Sequence, residues 1–465
     1  MDKYLCNCRY FWCCYQLPDR YRYCNLYPAI VDRGQEVVFY GTPGISEYLT
    51  INTVPIRGMH VCNNILYVVA GPYLYKVDTF DIVTYLGTGF LTALGSVIMC
   101  DNGVEVMITD GAHGYVYNIA ANTFNVIGDI DFVAPGSCTF LDGSILVNQV
   151  GTSNVYASDP YDASSWDGLN YGVAQLASGL TKRLYAQYGN LYVFNEHTTE
   201  VWYNTGSAGF PFAPNIGMTI NAGIAAPFSV AATGDVGGTL LWLAATREGQ
   251  GFVIRVDGGA PTTVTSPEIE KLWSDYPVIS DAIAYGFRME GHSFYVLSFP
   301  TADKTWVYDL TTQAWHEWST GITGGKHASE QYAYFNGKHI VSGGTSGKLY
   351  QMAMDIYTDD GEVIRRTLTM PHLGGDDRKT RYDSLELVME SGASESDYEE
   401  SIIMDMSNDH GHTYGNSHDV SIGAAGEHRS RVIWRRLGCS FYRTFRVTLT
   451  AVCKVVIRYA FIKTS

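Results

Sequence analysis

Positive charge is scarce in this chain. Of 465 residues only 31 are Lys or Arg, against 47 Asp and Glu, and charged side chains make up 17% of the whole. An acidic surface opposes adsorption to a polyanion, so a protein that grips nucleic acid over most of its surface is excluded. Long apolar runs are also missing: none nears the roughly 20 residues a membrane-spanning helix needs, and no membrane span is expected. The N-terminus lacks the basic segment, apolar core and small-residue cleavage site of a secretory leader. Its ten Cys are therefore expected as thiols of a chain made in a reducing cytoplasm. Signatures of chemistry are absent too. The Gly-rich stretch Gly234 to Gly238 has neither the Lys-Ser/Thr pair of a phosphate-binding loop nor a strand-to-helix setting, and reads as a turn. No G-x-S-x-G elbow precedes a helix, and Ser137-Cys138 reads as turn and strand.

Tyr (34) and Gly (48) are abundant instead, a mixture that suits pleated sheets joined by tight turns. One unit recurs: an alternating strand, a short turn, and a second strand rich in aromatics. It lies at Leu66 to Val77, Val104 to Ile119, Ser144 to Ala157, Gly189 to Tyr203, Thr239 to Val256, His292 to Leu310 and Lys338 to Met352. The period of about 40 to 50 residues matches propeller blades, whereas the rungs of a β-solenoid repeat at a shorter interval. Each unit is too small to bury its aromatic face alone, and closing a ring covers all but the short outer edges. The reading is all-β: a six- or seven-bladed β-propeller with a C-terminal β-sandwich-like domain. Residues 1–50 are read as an extended arm leading into the first blade, 51–364 as the propeller, and 365–465 as a sandwich-like oligomerisation or docking domain. Strands are expected at Arg381 to Met389, His418 to Ile422, Arg431 to Trp434, Phe441 to Leu449 and Lys454 to Phe461, with Ser391 to Tyr414 as a polar loop. One helix is expected at Ser266 to Trp273, where Ser266 caps, Pro267 fits the first turn and Glu268 and Glu270 favour the positive helix end.

Charge is unevenly placed. Residues 1–364 carry 34 acidic and 17 basic side chains, while 365–465 carry 13 and 14. Within the latter, 383–427 has no Lys or Arg and 429–465 has no Asp or Glu. The basic cluster Arg429, Arg431, Arg435, Arg436, Arg443 and Arg446, with Trp434 among it, reads either as a contact with an acidic partner surface or as solvated strand faces. Cys6, Cys8, Cys13, Cys14 and Cys24 lack a second pair at zinc-finger spacing, and His410, His412 and His418 near Asp405 and Asp409 have no enforced geometry, so neither metal nor cofactor is expected. The carboxylate pairs Asp101/Glu105, Asp129/Asp131 and Asp159/Asp162 could serve a propeller glycosidase or lyase, if they converged in a central pocket. Exposed Trp and Tyr at blade mouths would instead mark a host-glycan-binding module. No catalytic residue is assigned, and the chain is read as a non-enzyme.

The segment Asp19 to Pro28, DRYRYCNLYP, followed by Val38 to Gly44, VFYGTPG, resembles the opening of the tail-hub family of short-tailed bacteriophages, the packaged DNA stabilisation proteins. The likeness continues through VAGPYLYK (Val69 to Lys76), TEVWY (Thr199 to Tyr203) and VIWRRLG (Val432 to Gly438), in the same order along nearly the whole chain. It implies a structural virion tail protein, made in the host cytoplasm, that forms a ring of usually six copies below the portal or head-to-tail adaptor. Such a ring retains the packaged double-stranded DNA without reading its sequence, forms part of the ejection conduit, and carries spike or fibre and needle or plug proteins. Placement as a more distal nozzle remains a second option. Asn25, Tyr27 and Pro28, with Gly41, Pro43 and Gly44, match the N-terminal motif, implying that they fix the arm as it joins the first blade. Trp434, Arg435, Arg436 and Gly438 match the C-terminal motif, either ordering the last strands or meeting another subunit. The Cys-rich first 14 residues and the acidic stretch 391–414 depart from the pattern.

Overall fold

Hairpin turns set the register of the ring. In five of the blades the first turn runs through two consecutive positive-φ residues, as at Asn63-Asn64, Asp142-Gly143 and Asn336-Gly337. That is the turn whose twist matches two paired strands. The computed structural model describes residues 22–31, 36–176, 178–233, 238–246, 248–258, 260–374, 378–391 and 400–465. Cys6, Cys8, Cys13, Cys14 and the turn at 234–237 lie outside these.

The chain forms a seven-bladed propeller. Blades 1 to 6 are four-stranded antiparallel sheets spanning 56–88, 98–126, 135–173, 181–214, 231–263 and 283–318. Each of the seven units read from the sequence is the second and third strand of one blade. Blade 7 takes three strands from 331–353 and its outermost from near the N-terminus: Gly44–Thr50 pairs antiparallel with Lys348–Ala353. The ring thus closes by a strand from the opposite end of the chain, and the segment read as leading into the first blade completes the seventh. Seven apolar clusters fill the seven gaps between neighbouring blades. The closing gap is packed by Phe335, Ile340 and Leu349 of blade 7 against Ile56, Leu66 and Val77 of blade 1.

The second unit is a two-sheet sandwich that takes three strands from the N-terminal segment. Arg22–Cys24 lies between the last strand of blade 6 and Arg366–Thr369, so that blade 6 and one sandwich sheet form a single nine-stranded sheet. Leu26–Val31 and Glu36–Gly41 join Val456–Thr464, Thr380–Met389 and Val432–Arg435 in the other sheet. Leu26, Phe39, Leu385, Ile402, Met404, Trp434, Phe445 and Val447 fill the space between the sheets. The stretch expected as a loop, Ser391 to Tyr414, contains a central strand, Glu400–Ser407, paired on both sides. Its Ile402, Met404 and Met406 alternate into the core while Ser401, Ile403 and Asp405 face out. The helix forms at Pro267–Ser274, with Ser266 Oγ accepting from Ile269 N and Trp273 buried.

Candidate functional site: the joint between ring and sandwich

The N-terminal motif residues meet where the ring joins the sandwich. Asn25 is buried and holds φ 55°, a conformation Asn tolerates better than most residues. Its side-chain amide donates to Ser319 O (3.0 Å), Ser319 Oγ (3.0 Å) and Arg365 O (2.9 Å), and its Oδ1 accepts from Ser319 N (2.8 Å). Its backbone N donates to Glu317 O and its carbonyl accepts from Thr42 N. One residue therefore clasps the end of blade 6, the segment leading into the sandwich, and the turn at Thr42. Tyr27 packs against Tyr40, His292 and Phe294 with ring centres 5.2–5.8 Å apart. Pro28 sits on an edge strand, where its missing N–H costs no ladder bond. Pro43 is buried in the turn. The glycines serve close approach rather than positive φ: a Cβ on Gly41 would lie 2.8 Å from Arg366 Nε, and one on Gly44 2.5 Å from Ile356 O.

Sequence reasoning missed the buried ionisable groups behind this motif. Arg366 is buried and donates to Ala451 O (3.2 Å), its Nε having no partner among the described residues. Asp359, also buried, accepts from Gly321 N (3.4 Å) and has His327 Nε2 4.0 Å away. Burial raises the Asp359 carboxyl to about 7, with Gly321 N–H and the Arg366 charge opposing. Burial pulls His327 down to about 4 and His316 to about 3. His316 lies among Tyr23, Phe294 and Trp318, neither ring nitrogen finding a partner among the described residues. A signal was present: single charged or His residues inside strands of aromatics. A cleft of about 480 Å³ beside the joint is lined by Tyr27, Tyr40, Glu290, His292, Tyr357 and Arg366 among others, but not by Asp359.

The C-terminal cluster splits by burial. Trp434 is buried, its indole donating to His418 O (3.0 Å). Arg443 is buried too, donating to Leu437 O (2.7 Å) with its guanidinium 4.9 Å from the Tyr382 ring centre, so both residues are sandwich core. Arg431 forks onto Glu386 (2.9 and 2.8 Å), and Arg446 pairs with Asp405 (3.0 Å) while lying over Tyr414. Lys454 reaches Glu390 at 3.4 Å. The opposed charge blocks thus meet each other across adjacent strands. Arg429, Arg435 and Arg436 are exposed. His410 stacks on His372 and Tyr442, each with ring centres 4.6 Å apart. Asp409 accepts from Thr413 and Ser407, which hold its carboxyl below the usual range. Among the described residues, no group of three or more His, Cys, Asp or Glu is placed to hold a metal ion.

The carboxylate pairs do not converge. Asp101 takes a 2.6 Å bond from His60, Glu105 braces Asn118 and Ala163 N, and Asp129 accepts from Asp131 N and Trp166 N. Asp159 and Asp162 accept from Ser165 and Ser164. These carboxylates fasten loops and strands. The described Cys are free thiols, and burial raises Cys24 to about 11, far from a reactive thiolate at neutral pH. The joint therefore ties ring and sandwich together through one shared sheet and the hydrogen bonds of Asn25.

A family model described as "Bacteriophage P22 Gp10, beta-propeller" matches residues 23–357, and one described as "Bacteriophage P22 Gp10, beta-sandwich" matches 365–465. No curated protein matches the chain by sequence. Among solved structures, virginiamycin B lyase from Staphylococcus aureus aligns at 10% identity and TM-score 0.46, covering 67% of this chain and 99% of that one. The Pan2 WD40 domain of Neurospora crassa aligns at 10% identity and TM-score 0.42, covering 67% and 94%.

Proposed function

Because the chain belongs to the bacteriophage P22 Gp10 family of phage tail structural proteins, we propose that it forms a ring in a short tail, directly below the portal or its adaptor. In this reading it has no enzymatic activity. The ring, of six copies, holds the packaged double-stranded DNA in the head, forms part of the ejection conduit, and carries spike or fibre and needle or plug proteins on its distal side. The observation that carries the reading is the pair of matches, which follow each other along the chain and meet the two structural units described above. A sheet that runs unbroken from blade 6 into the sandwich suits the role, since a tail component must transmit load between neighbours. The placing of Arg429, Arg435 and Arg436 on the surface leaves them free to meet an acidic neighbour. Cryo-electron microscopy of the intact tail tests it: a closed ring of this chain around the DNA axis is expected. Particles made without the chain should lose their DNA. Density for the chain only off the axis, or full heads in its absence, would defeat the proposal.

A further inference from the structure

Strands in each blade run alternately up and down, so every connection from the outer strand of one blade to the inner strand of the next leaves from the same face of the ring. On blades 1 to 4 these connections carry large aliphatic side chains outward, into solvent. Leu94 is 81% exposed, Ile130 96% and Ile216 75%, with Leu91 and Leu176 also exposed. Three of the four connections, 89–97, 174–180 and 215–230, contain no charged residue in a chain of net charge -16, and the fourth, 127–134, carries Asp129 and Asp131.

Buried ionic groups hold two of these loops in place from behind. The Arg57 guanidinium, itself buried, donates to Gly95 O (2.6 Å), Thr92 O (2.9 Å), Thr92 Oγ1 (2.9 Å), Leu94 O (3.0 Å) and Gly71 O (3.0 Å). Glu200, fully buried, accepts from Leu176 N (2.9 Å) and Trp202 Nε1 (2.8 Å). Asp129, which solvent reaches, accepts from Asp131 N (2.9 Å) and Trp166 N (3.0 Å), fastening the turn that carries Ile130. Burying ionised groups is costly. Here they fix the backbone of loops whose own side chains point at water, which is the arrangement of a preformed interface.

We infer that this face of blades 1 to 4 is where the chain meets a second copy of itself. The inference rests on the ring reading and names one of its contacts. Two chains of net charge -16 repel wherever their acidic surfaces approach, and an apolar face whose charges are few, Asp129 and Asp131 beside Ile130 among them, lets them touch with little of that penalty and little polar desolvation. A basic or nucleic-acid partner gains nothing from such a face. The contact is heterologous, because a ring joins unlike surfaces of successive copies.

A photo-crosslinking amino acid placed at position 94, 130 or 216, in particles assembled in infected cells, tests it. Peptides of this chain cross-linked to another copy are expected from at least two positions, giving a ladder from dimer upward. Particles that contain the chain, but yield cross-links only to other proteins or none, overturn this contact and leave the tail reading standing. Particles without the chain overturn both. A second readout is the double variant Leu94→Glu/Ile216→Glu: its melting temperature should stay near that of the parent while its incorporation into particles falls at least tenfold. Undiminished incorporation overturns the inference.

Discussion

Asn25 shows how much one residue of a short motif can do once its surroundings are known. Its positive φ and its four side-chain hydrogen bonds are separable. Asn25→Ala loses both and should cost about 3 kcal/mol; Asn25→Gly keeps the backbone free and should cost about 1 kcal/mol less. Urea unfolding of the two variants measures the difference, and equal losses would show that φ contributes nothing. His316 gives a pH prediction with a definite sign. Its folded pKa is depressed to about 3, so its stabilising contribution is present above the unfolded value near 6.5 and is lost as pH falls toward 3. Between pH 7 and 5 the parent should lose about 2 kcal/mol that His316→Phe, a similar ring among aromatics, does not lose. Asp359 acts in the opposite direction. With its folded pKa raised to about 7, its contribution is full below about 4 and is lost as pH rises through 7, and Asp359→Asn should flatten that part of the profile. Unfolding midpoints from pH 4 to 8 report both. The motif positions were legible in the sequence, but their work was not. Gly41 and Gly44 match a turn pattern, yet what requires glycine is the nearness of Arg366 and the Ile356 carbonyl, partners more than 300 residues away.

At the level of elements, the repeat was readable because each hairpin is local. Two adjoining strands and their turn carry their own alternation and positive-φ residues, and all seven units emerge from the sequence at their observed places. Closure was not readable. Gly44–Thr50 alternates well enough to be a strand, but nothing local says that its partner is Lys348–Ala353 rather than blade 1. The Glu400–Ser407 strand was hidden by its polar surroundings and by Ile403 on its outward face, though Ile402, Met404 and Met406 kept the period of two. The closing strand is testable by itself. Leu49→Pro removes an N–H and forces φ opposite Leu349, and should cost about 3 kcal/mol or more. Hydrogen exchange should then quicken in Lys348–Ala353 and at the gap between blades 7 and 1 before it does in blades 3 and 4. Uniform quickening around the ring would argue against a local latch.

Considered whole, the molecule is less divisible than its two-part sequence suggests. The division near residue 365 follows the end of the repeat, whereas the sandwich borrows Arg22–Cys24, Leu26–Val31 and Glu36–Gly41 from the other end of the chain, and one sheet runs from blade 6 into it. A fragment of 365–465 alone lacks one outer strand pair and the strand that ties it to the ring. It should remain unfolded by near-ultraviolet circular dichroism, while the full chain unfolds in one calorimetric transition. Two resolved transitions, or a folded fragment, would show that the shared sheet couples nothing. The same interleaving of ends has a consequence for how the protein is made. Glu36–Gly41 pairs with Val456–Thr464, and at about 5–20 residues per second these partners leave the ribosome roughly 20 to 90 seconds apart. For that interval the earliest strands wait without their neighbours while the blades between them are translated and fold. Leu26–Val31 and Glu36–Gly41 are thus made early and locked late, and a ribosome that stalls before Val456 releases a nearly finished ring whose Glu36–Gly41 strand has one edge unpaired.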